Sequence, residues 1–354
     1  MAKAKARSRT FKSLEECLAA AGRLEEEPDA TTRSACTPDF ELFLPLGLPR
    51  KGDWLAEHKE TGQSFSTYHR RMKYPATPGK HTDTILLVPF GSFAEGVAQQ
   101  FRPLLLDYCQ AFFSGMMVEC LPKPLSLSKA RRRQNDFGHD QYLIEDLFDA
   151  LHKETSSHHR AYCRLGFTLE DIYPGDGWNY VFGQARPMER VGVFSFARHS
   201  PFFYEGLHAS EVPSLKDGAG WLRECMRTMV HETCHMFGML HCVYFHCLMN
   251  GSNGPQDTAG RFSFLCPVCL RKLLLALSYA PGDSSVLPRY QAIQRSMQNL
   301  LEEFRAQGVP DGEMEGLLSD LQWLEMLGEW KAMRWQGGKR LSDLKKDTTG
   351  VPIG

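Results

Sequence analysis

The stretch that most constrains this chain of 354 residues spans positions 230–242 and contains the pattern HExxHxxGxxH. His231 and His235 are four residues apart, so an α-helix would place both on one face, where two imidazole nitrogens can bind one metal ion. Gly238 tolerates the positive φ at which helices often end. We therefore predict a bend there that returns His241 to the same ion as a third ligand.

Glu232 belongs to the same pattern and follows the first histidine directly. Three protein ligands leave the fourth position of a tetrahedral zinc ion open for water, which is typical of catalytic zinc sites. From its place on the helix, Glu232 can miss the metal and still reach that water as a general base. Ordinary core or surface histidines are the alternative, but the five fixed positions favour zinc far more than a bare HExxH does.

Four cysteines follow the histidines in two close pairs. Cys242 and Cys247 form the first pair, and Cys266 and Cys269 the second. Cys-Pro-Val-Cys alone could be a redox pair, but two pairs together favour a closed, tetrahedral, structural zinc site. Because His241 and Cys242 are adjacent, we expect this second site to hold the loop that positions the third histidine.

Met249 follows the second cysteine in the segment CLMNGS. A methionine below a three-histidine zinc site is the feature called a Met-turn. The alternative is a methionine that fills a gap in the core, and the two interpretations nearly coincide physically.

Taken together, these patterns resemble the archaemetzincins, a family of metzincin-clan zinc peptidases with a second, cysteine-bound zinc. HExxHxxGxxH is followed here by Cys-x4-Cys-x-Met-x-Gly-Ser and then Cys-Pro-x-Cys. The resemblance implies the following roles: His231, His235 and His241 as catalytic-zinc ligands, Glu232 as general base, Cys242, Cys247, Cys266 and Cys269 as structural-zinc ligands, and Met249 as the Met-turn.

The resemblance also implies a fold and an activity. The fold would be α/β (α+β), a metzincin-like zincin with a twisted mixed sheet, an active-site helix and a small C-terminal subdomain stabilised by zinc. The activity would be that of a zinc metallopeptidase with one catalytic and one structural zinc, acting on a peptide or protein substrate. The alternative hypothesis is a catalytically weak or inactive, zinc-stabilised protein-binding module. Glu232 favours hydrolysis, because the fold alone does not need that residue.

Composition narrows the range of expected binding partners and the expected cellular compartment. A net charge of −1 and a pI near 6.9 indicate neither nucleic acid nor an anionic membrane as a general partner. The 11 cysteines, four of them assigned to zinc, do not suggest a disulfide framework. The basic N-terminus is not followed by an apolar signal-peptide core, and no run of apolar residues is long enough to span a membrane. We expect a cytoplasmic or nuclear protein that is not secreted.

Hydrophobic periodicity predicts four regions. They are an N-terminal extension (1–80), a catalytic domain with both zinc sites (81–280), a C-terminal helical hairpin (281–336) and a disordered tail (337–354). In the extension, a capping box at Ser13 opens a helix, a linker follows near 28–38, and the rest is irregular. The C-terminal hairpin is expected to pack on the catalytic core rather than to bind a partner.

Within the catalytic domain, short apolar runs predict strands and longer amphipathic stretches predict helices. The predicted strands are 85–89, 117–121, 162–168, 178–185 and 191–197, and the predicted helices are about 95–112, 141–152, 217–237 and 270–279.

Three features of this domain have competing interpretations. The segment 178–185 resembles the archaemetzincin strand at the sheet edge above the zinc, where an extended peptide could bind, but a plain edge strand is equally open. The basic run 129–133 is interpreted as a solvated loop rather than a nucleic-acid patch. His199 and His208 are interpreted as loop or surface histidines rather than further ligands.

Overall fold

The computed structural model of the chain describes residues 10–72, 77–93, 96–208, 218–254 and 262–335, with the backbone alone at 96–99 and 329–335. The tail 337–354, predicted to be disordered, lies outside the described residues. In the described part of the chain, no helix combines the length and the apolar character needed to cross a membrane.

A five-stranded mixed sheet forms the centre of the fold. Its strands are β1 (Thr84–Phe90), β2 (Met117–Cys120), β5 (Ala161–Thr168), β7 (Gly183–Arg186) and β8 (Val191–Ser195). The spatial order is β2-β1-β5-β8-β7. All neighbours are parallel except β7, which pairs antiparallel with β8 at the edge. This sheet confirms the prediction of a mixed α/β fold and places β7 at its edge.

Ten α-helices surround the sheet within the described residues. They are α1 (Leu14–Ala20), α2 (Ala30–Cys36), α3 (Trp54–Glu57), α4 (Phe65–Arg71), α5 (Gly96–Phe112), α6 (Ile144–Glu154), α7 (Ala219–Met236), α8 (Pro267–Leu277), α9 (Val286–Ala306) and α10 (Glu315–Trp335).

The central strand β1 is buried along its whole length, which indicates that helices cover both faces of the sheet. Ile85 and Leu87 belong to the core that contains α5 and α7. Leu86 and Val88 belong to a second core on the opposite face, which contains α6. The metal-motif helix α7 therefore packs on one face of the sheet, next to β8 and β7.

The predicted helix 141–152 is wrong at its start. Asp140–Leu143 is a strand, β4, in a small sheet with β3 (Arg132–Gln134) and β6 (Asp171–Tyr173), and α6 begins only at Ile144. Strand pairing of Gln141 with Asp171 overrides the helical periodicity. The side-chain amide of Gln141 also donates to the carboxylate of Asp171 over 2.8 Å.

The predicted solvated loop in the basic run 129–133 is partly wrong, because β3 begins at Arg132. Arg131 and Arg132 still lie at the surface, whereas Arg133 is half-buried. Arg131 pairs with Asp146 at 2.6 Å, and Arg132 pairs with Asp140 at 2.7 Å. These carboxylates neutralise part of the positive charge of the basic run.

The predicted strand 178–185 is shorter in the structure, where only Gly183–Arg186 pairs with β8. The backbone of residues 178 and 179, which was predicted to belong to this strand, is bound by a side chain instead. Arg133 donates to the carbonyls of Trp178 and Asn179 over 2.7 and 2.8 Å. This segment therefore approaches the sheet edge as a loop, and Trp178 remains 64% exposed.

The N-terminal extension contains more helix than its sequence predicts. The capping box at Ser13 is confirmed: its hydroxyl accepts the Glu16 N–H, and the Glu16 carboxylate accepts the Ser13 N–H. The predicted linker near 28–38 is wrong, because Asp29 caps α2 there by accepting the Thr32 N–H. Helices α2 and α4 pack on α8, so the extension lies over the core.

The C-terminal helices pack on the catalytic core, as predicted. Helix α9 lies against α5, and α10 contacts α7. Arg289, which is fully buried, donates to the Phe112 carbonyl over 2.8 Å. On the other helix, Asp320 accepts bonds from Arg223 at 2.7 and 3.0 Å and from Ser263 at 2.6 Å.

We expect Asp320→Ala to lower the free energy of unfolding by about 2–3 kcal/mol, because it removes the acceptor of the buried Ser263 hydroxyl and of the part-buried Arg223 guanidinium. Denaturant titration of the whole chain measures this change. Glu325→Ala, on an exposed position of the same helix, is the control and should change stability by less than about 0.5 kcal/mol. Equal effects of the two substitutions would contradict the packing role of Asp320.

Candidate active site

Helix α7 and the bend after it bring the three predicted histidines together. His231 and His235 lie on one face of the helix, which ends at Met236. Gly238 has φ of +77°, and the chain reverses there. One ring nitrogen from each of His231, His235 and His241 lies within 4.8 Å of the other two. The bend predicted at Gly238 is therefore present.

Each of the three imidazole rings makes a hydrogen bond to an oxygen through Nδ1. The bonds are His231 to the Leu248 carbonyl at 2.9 Å, His235 to the Met239 carbonyl at 2.7 Å, and His241 to the Glu60 carboxylate at 2.8 Å. A carbonyl or carboxylate oxygen can only accept a hydrogen bond, so each ring carries its hydrogen on Nδ1. All three Nε2 lone pairs are then available to a metal.

The distances between these nitrogens fit a zinc ion. Nε2 of His231 and Nε2 of His235 are 3.1 Å apart. Tetrahedral zinc with Zn–N bonds of about 2.0–2.1 Å would hold two such nitrogens about 3.3 Å apart. Burial lowers the pKa of His235 to about 4, so this ring is neutral near pH 7, as a ligand must be. Two facing lone pairs repel each other unless a cation lies between them.

The side chain of Glu232 lies between its own helix, α7, and the edge strand β7. A Cβ built on Gly183 would lie 3.3 Å from Cδ of Glu232 and only 2.8 Å from Cβ of Phe194. A side chain at this strand position would clash with Phe194 and would also crowd the Glu232 carboxyl. Burial raises the pKa of Glu232 to about 7. The predicted base is thus held against the wall of the cleft, next to the histidines.

A cleft runs past the histidines between β7 and the N-terminal extension. Its larger part has a volume of about 660 Å³, and its smaller part about 510 Å³. Residues 178–184 line the larger part together with Trp54 and His58. Residues 183–185 and 59–62 line the smaller part. An extended chain could pass through both parts across the three histidines.

His199 and His208 are not part of the three-histidine group in the described residues. His199, predicted to be a loop or surface residue, is half-buried at the end of a short 3-10 turn. Its ring stacks on Phe182 at 4.8 Å between centroids, and its Nε2 hydrogen-bonds the Thr228 hydroxyl at 2.8 Å. Burial lowers the pKa of His199 to about 4. It therefore lines the cleft as a neutral side chain.

The four predicted cysteines form one buried cluster. Their Sγ atoms all lie within 4.8 Å of one another, and those of Cys242 and Cys266 are 3.7 Å apart. Tetrahedral zinc with Zn–S bonds of about 2.3 Å would separate two sulfurs by about 3.8 Å. The N–H of Cys266 points at Sγ of Cys247 over 3.2 Å, as a donor to a thiolate would. The cluster therefore fits a closed structural zinc site.

The charges around this cluster favour a bound cation. The thiols of Cys247, Cys266 and Cys269 lower the pKa of Cys242 well below its ordinary value, and the buried Lys272 ammonium adds to the effect. Burial raises the pKa of Cys247 and Cys266. Four buried thiolates so close together would repel one another, so they can coexist only with a bound cation that displaces their protons.

One short segment connects the two clusters. The N–H of Cys242 donates to the Met249 carbonyl over 2.7 Å, and the amide of Asn250 donates to the Cys242 carbonyl over 2.8 Å. The neighbouring Leu248 carbonyl accepts the bond from His231. Met249 itself is fully buried. The predicted Met-turn segment is therefore bonded to both the histidine and the cysteine sides.

Sequence reasoning missed two residues of this site, Glu60 and Trp54. Both lie in the N-terminal extension, which the sequence suggested only as a cover over the core. Glu60 and His241 are separated by 181 residues, so no local spacing connects them. Their positions follow only from how the extension folds onto the core.

The sequence matches a family model and several known proteins. The model for Peptidase family M54 matches residues 122–274. Human archaemetzincin-2 is 33% identical over 283 residues, which cover 74% of this chain and 76% of the relative. Human archaemetzincin-1 is 30% identical over 73% of this chain and 55% of the relative. The crystal structure of archaemetzincin from Methanopyrus kandleri superposes with a TM-score of 0.42 at 24% identity, covering 57% of this chain and 99% of that one.

We expect Cys266→Ser to lower the metal content by more than one zinc ion per chain. Loss of a thiolate should empty the cysteine cluster, and the connected segment around His241 and Cys242 should then weaken the histidine site. Elemental analysis of the purified protein measures this. Cys120→Ser, a half-buried thiol outside both clusters, is the control and should leave the content unchanged. Retention of zinc at the histidines in Cys266→Ser would contradict the coupling of the two sites.

Proposed function

The chain belongs to the archaemetzincin family of zinc metallopeptidases, and we propose that it hydrolyses peptide bonds with Glu232 as the general base. In this proposal His231, His235 and His241 hold the catalytic zinc, and the four-cysteine cluster holds a structural zinc. The observation that carries it is the position of the Glu232 carboxyl, held between β7 and the helix that bears two of the histidines.

The zinc ion, when bound, supplies a Lewis acid for the substrate carbonyl and makes water acidic enough to act near neutral pH. Glu232 takes a proton from the attacking water and later gives it to the leaving amine. A base is most effective when its pKa lies near the working pH, and burial raises the pKa of Glu232 to about 7. Gly183 contributes by leaving space for that carboxyl.

The edge strand β7 supports an extended peptide as substrate. The Ser195 N–H donates to the Phe182 carbonyl over 2.7 Å, so residue 182 directs its backbone groups at β8. In an antiparallel pair this direction alternates, which turns the N–H and C=O groups of Gly183 and Ala185 away from β8. Both residues line the cleft. A substrate strand can pair with these groups and cross the histidines as it does so.

Glu232→Gln should lower kcat by roughly 10²–10⁴ while both metal sites stay occupied, because the amide cannot take up the proton. Cleavage of a library of short peptides, with metal analysis of each variant, measures this. Glu224→Gln is the control. Glu224 also lines the cleft but is paired with Arg227 at 2.8 Å, so we expect a much smaller effect on kcat.

Undiminished cleavage by zinc-loaded Glu232→Gln would remove Glu232 as the base. Absence of turnover by the wild-type protein on every peptide, with both metal sites filled and a tight protein partner, would instead favour the zinc-stabilised binding module.

Ala185→Pro should lower kcat/KM by about tenfold, since it removes one outward N–H that a bound peptide would use. The bonds of Gln184 to β8 should remain, because proline is tolerated where the N–H faces away from the neighbouring strand. Steady-state kinetics and thermal unfolding together measure this. Ala185→Ser keeps the N–H and is the control. Unchanged kcat/KM in a folded Ala185→Pro variant would contradict peptide binding along β7.

A further inference from the structure

The three imidazole rings differ in what holds them. The Nδ1 acceptors of His231 and His235 are backbone carbonyls of the metal-binding region itself. The acceptor of His241 is a charged carboxylate that comes from the N-terminal extension, Glu60. A carboxylate bound to a ligating imidazole raises the basicity of the ring and fixes its orientation. The third histidine therefore has a stronger hydrogen-bond partner than the other two, and this partner lies much farther away in the sequence.

Glu60 itself is arranged around the bond to His241. The indole N–H of Trp54 donates to the same carboxylate oxygen over 2.9 Å, and the Trp54 ring meets the His241 ring edge-on at 5.2 Å. One oxygen of Glu60 therefore accepts two hydrogen bonds, from the Trp54 indole and from the His241 ring.

The second oxygen of Glu60 is buried and has no hydrogen-bond partner among the described residues. A buried carboxylate with one oxygen unpaired is costly for a protein unless positive charge lies close by. The Glu60 side chain is 26% exposed overall, so water offsets part of this cost. A divalent cation held by the far nitrogen of the His241 ring would supply positive charge close to the buried oxygen.

The residues after Glu60 hold the bend that carries His241. The side-chain amide of Gln63 donates to the Gly238 carbonyl and accepts the Leu240 N–H, both at 3.1 Å. The hydroxyl of Tyr68 donates to the Phe237 carbonyl over 2.7 Å. The segment 60–68 therefore binds the bend at three points on its backbone, in addition to the contact with the imidazole.

We propose that Glu60 is a positioning residue of the catalytic zinc centre, which makes the N-terminal extension a part of that centre. In this role Glu60 acts through His241 rather than as a ligand of the metal. It orients His241, keeps the proton on Nδ1 and partly balances the charge of the ion. This inference rests on the proposed function, since it needs a metal at the three histidines.

The test compares metal affinity in Glu60→Ala, Glu60→Gln and Glu57→Ala. Cobalt(II) is the probe, because thiolate-to-metal absorption identifies the cysteine site and leaves the weaker bands of the histidine site to be titrated separately with a chelator. Glu60→Ala should weaken metal binding at the histidines by about 10–100-fold and leave the cysteine site unchanged. Glu60→Gln keeps an acceptor oxygen but loses the charge, so its loss should be intermediate. Glu57 is exposed on α3, and its substitution should have no effect.

Gln63→Ala separates a positioning role from a general loss of structure. It removes two bonds to the bend and leaves Glu60 on His241. It should lower the thermal stability of the metal-free protein more than Glu60→Ala does, and weaken cobalt binding less. The reverse order, or a wild-type affinity in Glu60→Ala, would overturn the proposal.

The wild-type protein distinguishes this failure from that of the proposed function. If it binds cobalt at the histidines and cleaves peptides when loaded with zinc, only the role of Glu60 is lost. If it binds no metal at the histidines, both proposals fail.

Discussion

The convergence of three imidazole nitrogens on one point is the constraint on which the rest of the structure depends. A helix delivers two of them without difficulty, because residues four apart share a face. The third must return around Gly238, and all three rings must keep their lone pairs aimed at one another. That arrangement is unfavourable unless each ring has an acceptor on its other nitrogen and a cation between them. The acceptors come from three different parts of the chain: the segment after Cys247, the bend itself and the N-terminal extension.

The cysteine cluster extends the same constraint to the next residue of the chain. His241 and Cys242 are adjacent, so the backbone between them is shared by two candidate metal sites. Asn250 adds to this connection by bonding the carbonyls of Cys242 and Phe245 and the N–H of Cys247. A structural zinc site can contribute about 10–16 kcal/mol to folding. We infer that part of this free energy fixes the loop that begins at the third histidine and ends below the first.

The sequence was informative where local spacing determines local geometry. The intervals between the histidines and between the cysteines identified both clusters, and short apolar runs identified the buried strands of the sheet. Spacing cannot report a contact made across the fold. Glu60 meets His241 over 181 residues, and His199 is half-buried where its ring contacts Thr228 and Phe182. The errors in secondary structure have the same origin: pairing with Asp171 turned Gln141 from helix to strand. Asp29 illustrates the opposite failure, since a single capping side chain begins a helix within a segment whose composition indicated a linker.

Two glycines explain why the extension can lie so close to the site. Gly251, which belongs to the Met-x-Gly-Ser pattern, has the Trp54 indole directly above it, and an added Cβ would come within 2.5 Å of that ring. Gly62, with φ of +83°, lies against the residues that follow His241, and an added Cβ would come within 2.4 Å of Val243. The extension has a glycine, Gly62, where it contacts the metal loop, and the metal loop has a glycine, Gly251, where it contacts the extension. Such reciprocal close approach brings Trp54 and Glu60 within reach of His241, which a looser cover over the core would not do.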